Sequence, residues 1–256
     1  MKLIVVVVVM AMVAVGCGSE AATKPSGPSA AASDASGQAS SGPAAASAPA
    51  PASQESRCPN GSLEGCFDYA GMAAYLQTVR PLVTQFFAEK YPKLPAPRDV
   101  VFIPARRYIS GVCGLSDSAA YEYCPADGRV FIGQDLLWSF YRRQGDAAPV
   151  VALAHEFGHH VQVMQRVPNP RSAAQSVVFE NQADCIAGAF AQYADQKGWL
   201  EKDDLGDVEG LMQAVGSRES RYRDHGTVAE RTLAFESGFK SGVKACNSYF
   251  PSTPVA

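Results

Sequence analysis

The sequence predicts a mostly helical fold with a small sheet. Four stretches repeat apolar residues at helical spacing, and only two short runs have the β-branched and aromatic composition of strands. The balance of 47% hydrophobic to 18% charged residues is that of a chain able to bury a core. The first helix runs from Asp68 to Glu89, with Met72, Leu76, Val79, Val83 and Phe86 or Phe87 on one face, a bend at Pro81 and Pro92 as its stop. Asp99–Ile103 and Arg129–Ile132, bounded by proline or glycine, read as strands. A second helix starts after Asp146 and ends before Pro168, with a carboxylate and Pro149 where helix starts favour them. Ser172 and Gln175 have the spacing of a capping box that opens a third helix, and Gly198 is suited to close it in the left-handed conformation. Thr227 and Glu230 repeat the pattern for a last helix to about Ser241, before Gly242. There is no internal repeat.

Composition divides the 256 residues into three zones. Lys2 precedes thirteen uninterrupted apolar residues, Leu3 to Val15, and then Gly16-Cys17, the layout of an export signal over residues 1–17. A retained membrane helix is the alternative, but at about 1.5 Å per residue this run reaches only about 20 Å across a hydrocarbon core of about 30 Å. Ala14-Val15-Gly16-Cys17 resembles the lipobox of bacterial lipoproteins, which implies an exported chain lipidated on Cys17 and anchored to a membrane of the cell envelope. Gly18 after that cysteine implies the outer membrane if the host is diderm. Residues 18–56 form a low-complexity tether: from Ala21 to Ser56, 30 of 36 residues are Ala, Ser, Pro or Gly, too little apolar surface to offset ordering. As a flexible coil it spans roughly 30 Å on average. Residues 57–256 make up the folded body, a size usual for one domain. The net charge of -3 leaves no basic excess to neutralise a phosphate backbone, so nucleic acid is not an expected partner.

Apart from Cys17, six cysteines remain, an even number in an exported domain where disulfides persist. The short loops Cys58–Cys66 and Cys113–Cys124 cost least to close, which leaves Cys185–Cys246 by subtraction. No C-x2-C spacing exists, so a cysteine zinc site is disfavoured.

The second helix carries His155-Glu156-Phe157-Gly158-His159, an H-E-x-x-H arrangement. Residues four apart on a helix lie about 40° apart around its axis, so both imidazoles can reach one zinc ion at about 2.0–2.1 Å. Glu156 is then poorly placed as a ligand but well placed as general base, able to take a proton from a water that zinc acidifies to a pKa of about 7. That combination is suited to peptide hydrolysis. A catalytic zinc needs a third protein ligand, and the extension that would supply a third histidine fails at Gln162 and Gln165. Glu180 and Asp184, four apart on the next helix, share a face: Glu180 is assigned to the metal and Asp184 to the free ring N–H of a ligand histidine, with the reverse assignment open. His225, remote from the motif, is a candidate to stabilise an oxyanion or, alternatively, to be the third ligand. Arg231 and Tyr222 are candidate orienting groups, and His160, about 100° around the helix from His159, is assigned to packing or solvent.

Taken together, Cys113-Gly114, Tyr123-Cys124-Pro125-Ala126-Asp127, the segment Ala154 to Gln162, Gln182-Ala183-Asp184-Cys185 and His225-Gly226-Thr227 with Arg231 resemble the neutral zinc metallopeptidase family of bacteria. The resemblance runs through most of the folded body, and Cys185 and Cys246 fit it. It implies a zincin-like α+β domain with Arg129–Ile132 as an edge strand near the cleft, one zinc on His155, His159 and Glu180, and Glu156 as base. One departure is Glu230, where the family more often has glutamine. The activity so implied is metal-assisted hydrolysis of peptide bonds in envelope or extracellular proteins and peptides. The competing reading is a non-catalytic lipoprotein of the same fold that binds partners or assists envelope assembly.

Overall fold

The structure is a computed structural model that describes residues 58, 62–218, 220 and 223–256. The expected export segment 1–17 with its lipidation site Cys17, the tether 18–56 and Tyr222 lie outside these residues. The described chain runs α1 (Met72–Lys90), β1 (Asp99–Ile103), β2 (Tyr108–Gly111), β3 (Gly114–Asp117), β4 (Tyr121–Cys124), β5 (Arg129–Gly133), α2 (Gln134–Gln144), α3 (Ala147–Met164), α4 (Ala173–Gln196), α5 (Asp204–Val215) and α6 (Val228–Ser241), closed by a 3-10 helix, Val243–Ser248. It is mostly helical with a small mixed sheet, the α+β class.

Strands β1, β5 and β4 form the sheet in that order, β1 parallel and β4 antiparallel to β5, while β2 and β3 form a separate hairpin. This corrects one expectation: Arg129–Ile132 lies in the central strand, and β4 is the edge strand beside α3. The first helix also begins later than its apolar pattern suggests, because Asp68 accepts the Gly71 N–H at 2.7 Å in a turn that precedes α1. Helix α3 differs at its start too. Asp146 makes no side-chain cap, and the Ala147 N–H is met by Asp207 of α5 at 3.1 Å. The caps of α4 and α6 follow the sequence more closely. Ser172 accepts from the Gln175 N–H, although the Gln175 side chain reaches back to Arg171, and Thr227 and Glu230 form a complete capping box.

The core lies between α1, α3, α4 and one face of the sheet, built from Tyr75, Val79, Phe86, Ile132, Leu153, Ile186 and Phe190 among others. Helices α4 and α6 cross almost in backbone contact, and glycine makes that possible. A Cβ on Gly238 would sit 1.8 Å from the Cys185 carbonyl oxygen, and one on Gly188 would sit 1.9 Å from that of Phe235. Disulfides join Cys58 to Cys66, Cys113 to Cys124 and Cys185 to Cys246. The third ties the middle of α4 to the closing 3-10 helix.

Candidate metal centre

Helix α3 is buried along most of its length, and one turn separates His155 from His159 on the face it turns toward α4. Their rings meet edge to face, with centroids 4.6 Å apart. From α4, Glu180 reaches both: its Oε2 lies 3.3 Å from His155 Nε2 and its Oε1 lies 3.4 Å from His159 Nε2. Ligand atoms of the three residues all lie within 4.8 Å of one another. Four ligands held tetrahedrally at about 2.0–2.2 Å from zinc stand about 3.4 Å apart, so the donor set and its spacing fit a zinc ion. His225 stands outside that set, although its Nε2 is 3.6 Å from Glu180 Oε2.

The other ring nitrogen of each histidine is also held. His155 Nδ1 lies 2.9 Å from Asp184 Oδ1, and His159 Nδ1 lies 2.9 Å from the amide oxygen of Gln162. These contacts leave both Nε2 atoms directed at Glu180 and fix the tautomer that a metal requires. Gln162 is fixed in turn by donating to the Phe179 carbonyl at 2.7 Å, and the Phe179 ring stacks on His159. Asp184 is gripped by Arg231, whose Nε and one terminal nitrogen donate to its two oxygens at 2.9 and 2.8 Å.

The electrostatics are those of a site built around positive charge. Burial opposes protonation of His155, but the Asp184 and Glu180 carboxylates outweigh it and raise the imidazolium to about 10. Burial would raise Glu180, yet His159 and His155 hold it well below the usual carboxylate range. Arg231 and His155 likewise hold Asp184 low against its burial. Glu156 differs from both: burial raises its carboxyl, while the two histidines and the Tyr123 backbone N–H pull the other way. A raised carboxyl is the property a proton acceptor at neutral pH needs.

Three donors at tetrahedral spacing beside a buried carboxylate define the site, and the comparison with known families agrees with it. A family described as "Putative neutral zinc metallopeptidase" matches residues 3–249. The chain belongs to this family. Relatives of the chain include the uncharacterized protein YpfJ of Escherichia coli K12, 38% identical over 167 residues that cover 54% of this chain and 57% of that protein. The uncharacterized protein Rv2575 of Mycobacterium tuberculosis H37Rv is 28% identical over 174 residues, covering 54% and 59%. The chain thus spans somewhat more than half the length of these curated relatives. No solved structure gives a significant match.

The fold brings His155, Glu156, His159, Glu180, Asp184, Arg231 and His225 together. His160 is not among them: it is buried against Phe87 and Tyr123 and held by the Tyr123 hydroxyl and the Pro95 carbonyl, a packing role. His225 is partly exposed on the loop before α6, with Nδ1 3.0 Å from Asp224. Arg223 steadies that loop by donating to the His225 carbonyl at 3.1 Å and to Glu230 at 2.8 Å. Glu230, the departure from the family pattern, therefore serves both the capping box and Arg223. Sequence reasoning gave Gln162 no role at the site, noting it as a break in a longer histidine motif and as the end of the family segment. Its position three residues after His159, on the same helix face, was the available signal.

Proposed function

We propose that the chain is a zinc-dependent endopeptidase that hydrolyses peptide bonds in envelope or extracellular proteins and peptides. The observation that carries this reading is the spacing of His155, His159 and Glu180 beside the buried Glu156 carboxylate. Those three residues would hold one zinc ion, which when bound supplies a Lewis acid that polarises a carbonyl and acidifies water. Glu156 accepts the proton of the attacking water and returns it to the leaving amine. Asp184 and Gln162 hold the two imidazoles in one tautomer throughout, and Arg231 holds Asp184. His225, whose Nε2 lies 3.6 Å from Glu180 Oε2, would donate to the carbonyl oxygen as negative charge develops there.

Edge strand β4 suits an extended substrate. Ala120 turns its carbonyl to Gly133 of β5, so by the period of two Tyr121 and Tyr123 turn their backbone groups the other way, and the Tyr123 N–H meets Glu156. An exported setting with a lipid anchor on Cys17 rests on the sequence of residues 1–17 alone.

The test compares zinc content and cleavage of a denatured-protein and peptide panel between the full-length chain and Glu156→Gln. Both should bind about one zinc, only the parent should cleave, and chelation should abolish cleavage. Zinc binding by both with cleavage by neither would replace the peptidase with the binding lipoprotein.

A further inference from the structure

Three large apolar side chains project from one hairpin into water: Tyr108 is 70% exposed, Val112 73% and Leu115 65%. The register of β2 and β3 sets Tyr108 opposite Asp117 and Ser110 opposite Leu115, so by the period of two these four residues share one face. The other face carries Ile109, packed against Ile103, Cys124 and Phe131, and the buried Ser116. Val112 stands in the turn between the strands, next to Cys113, whose disulfide to Cys124 ties that turn to β4. The packed inner face and the disulfide hold the outer face out in solvent. Two guanidinium groups precede it. Arg106 and Arg107 are both exposed, and neither forms an ion pair with a described residue. The acids nearby are Asp127, held by Arg129, Glu122, which accepts from Ser116, and Asp117 on the outer face.

We propose that this hairpin docks the chain on an anionic phospholipid bilayer, with Tyr108, Val112 and Leu115 entering the interface and Arg106 and Arg107 on lipid phosphates. A tyrosine beside aliphatic side chains matches the boundary between headgroups and acyl chains, and cations next to it are drawn to anionic headgroups. Size argues against a protein partner. Strands of four residues reach about 13 Å, so the face is on the order of 150 Å², against about 800 Å² per partner in a stable complex. A fluid bilayer needs no matching contour. The inference depends neither on the peptidase reading nor on lipidation of Cys17.

The experiment is co-sedimentation of residues 18–256 with vesicles of phosphatidylglycerol and phosphatidylcholine in equal parts, or of phosphatidylcholine alone. This form lacks the apolar run Leu3–Val15, which would bind vesicles by itself. It keeps the compact unit Pro51–Ala256, with both described core clusters and all three disulfides. Binding to the anionic vesicles should be at least about tenfold tighter than to phosphatidylcholine and should weaken in high salt. Arg106→Gln with Arg107→Gln should weaken it about 10- to 30-fold, and Val112→Ser with Leu115→Ser about tenfold or more. Asp117→Asn removes a repelling charge and should tighten binding about two- to fivefold. All five positions are exposed, so the variants keep the parental fold. No binding to anionic vesicles, or binding that either double variant leaves unchanged, overturns the proposal. So does a dimer in sedimentation equilibrium that Val112→Ser with Leu115→Ser dissolves, since the hairpin would then be a protein interface.

Discussion

Arg231 on α6 grips Asp184 on α4 with two hydrogen bonds of 2.9 and 2.8 Å, and the oxygen that receives the shorter one also lies 2.9 Å from His155 Nδ1. Both partners are buried, so the pair orients a candidate ligand from two helices away. Asp184→Asn should keep the fold yet lower zinc affinity about 10- to 100-fold, measured by competition with a chelator of known strength. Arg231→Ala leaves a buried carboxylate unpaired and should cost about 3–5 kcal/mol, read by urea unfolding. An Asn variant with parental zinc affinity would refute the orienting role.

Gln162 should behave like Asp184, with a weaker hold because its oxygen is uncharged. Gln162→Leu removes the contact to His159 and the amide donor shared by the Phe179 carbonyl and the buried Gln182 amide oxygen. The expected loss is about tenfold in zinc affinity and about 1–3 kcal/mol in stability. Chelator competition and denaturant midpoints on one preparation separate the two effects.

The crossing of α4 and α6 sets where Arg231 stands, so its glycines should tolerate no side chain. Gly238→Ala drives a methyl to 1.8 Å from the Cys185 carbonyl oxygen and should destabilise by about 3 kcal/mol. Gly206→Ala on α5 meets nothing within 4 Å and should instead stabilise by about 0.5–1 kcal/mol. Opposite signs in thermal melts are the prediction, and equal signs would count against the close crossing.

A pH effect is expected far from the metal ligands, where Asp146, Asp204 and Asp207 bring carboxylate oxygens within 4.8 Å of one another. Burial, then Asp204, raises the Asp146 carboxyl to about 7, and burial raises Asp207 to about 6. The groups facing Asp146 are Asp204, Asp207 and Glu201, all acidic. An unfolded aspartate titrates near 3.9, so between about 4 and 7 the folded chain holds more protons than the unfolded one. Stability therefore falls as pH rises through that window, and the loss is complete above about 7. Asp146→Asn should raise Tm by about 5 °C at pH 8 and by much less at pH 5. Equal shifts at both pH values would rule out titration as the cause.

Four helices and two strands were legible because their signals are local: apolar spacing, a proline stop, a capping box. The elements that escaped lack such signals. Helix α5 carries Gly206 and Gly210, both poor helix formers, and α2 follows β5 with no turn residues between them. The hairpin β2–β3 has strands of four residues, largely exposed, and is too short to show a period of two. The mistaken edge strand has a different cause. Which strand is central depends on pairing partners distant in sequence, and β5 has two of them.

By itself the sequence determined that His155 and His159 share a helix face with Glu156 beside them, and that Glu180 and Asp184 share another. Four residues are about one helical turn, and that geometry is the same wherever the helix is placed. The motifs were also enough to recognise the metallopeptidase family. Only the tertiary structure decided that the two faces meet, that Gln162 and Arg231 hold the groups behind them, and that a cavity opens beside Glu156. Those outcomes follow from how closely helices approach, which is set by volumes and absent side chains such as those of Gly188 and Gly238, and close packing couples residues with no regular separation in the chain.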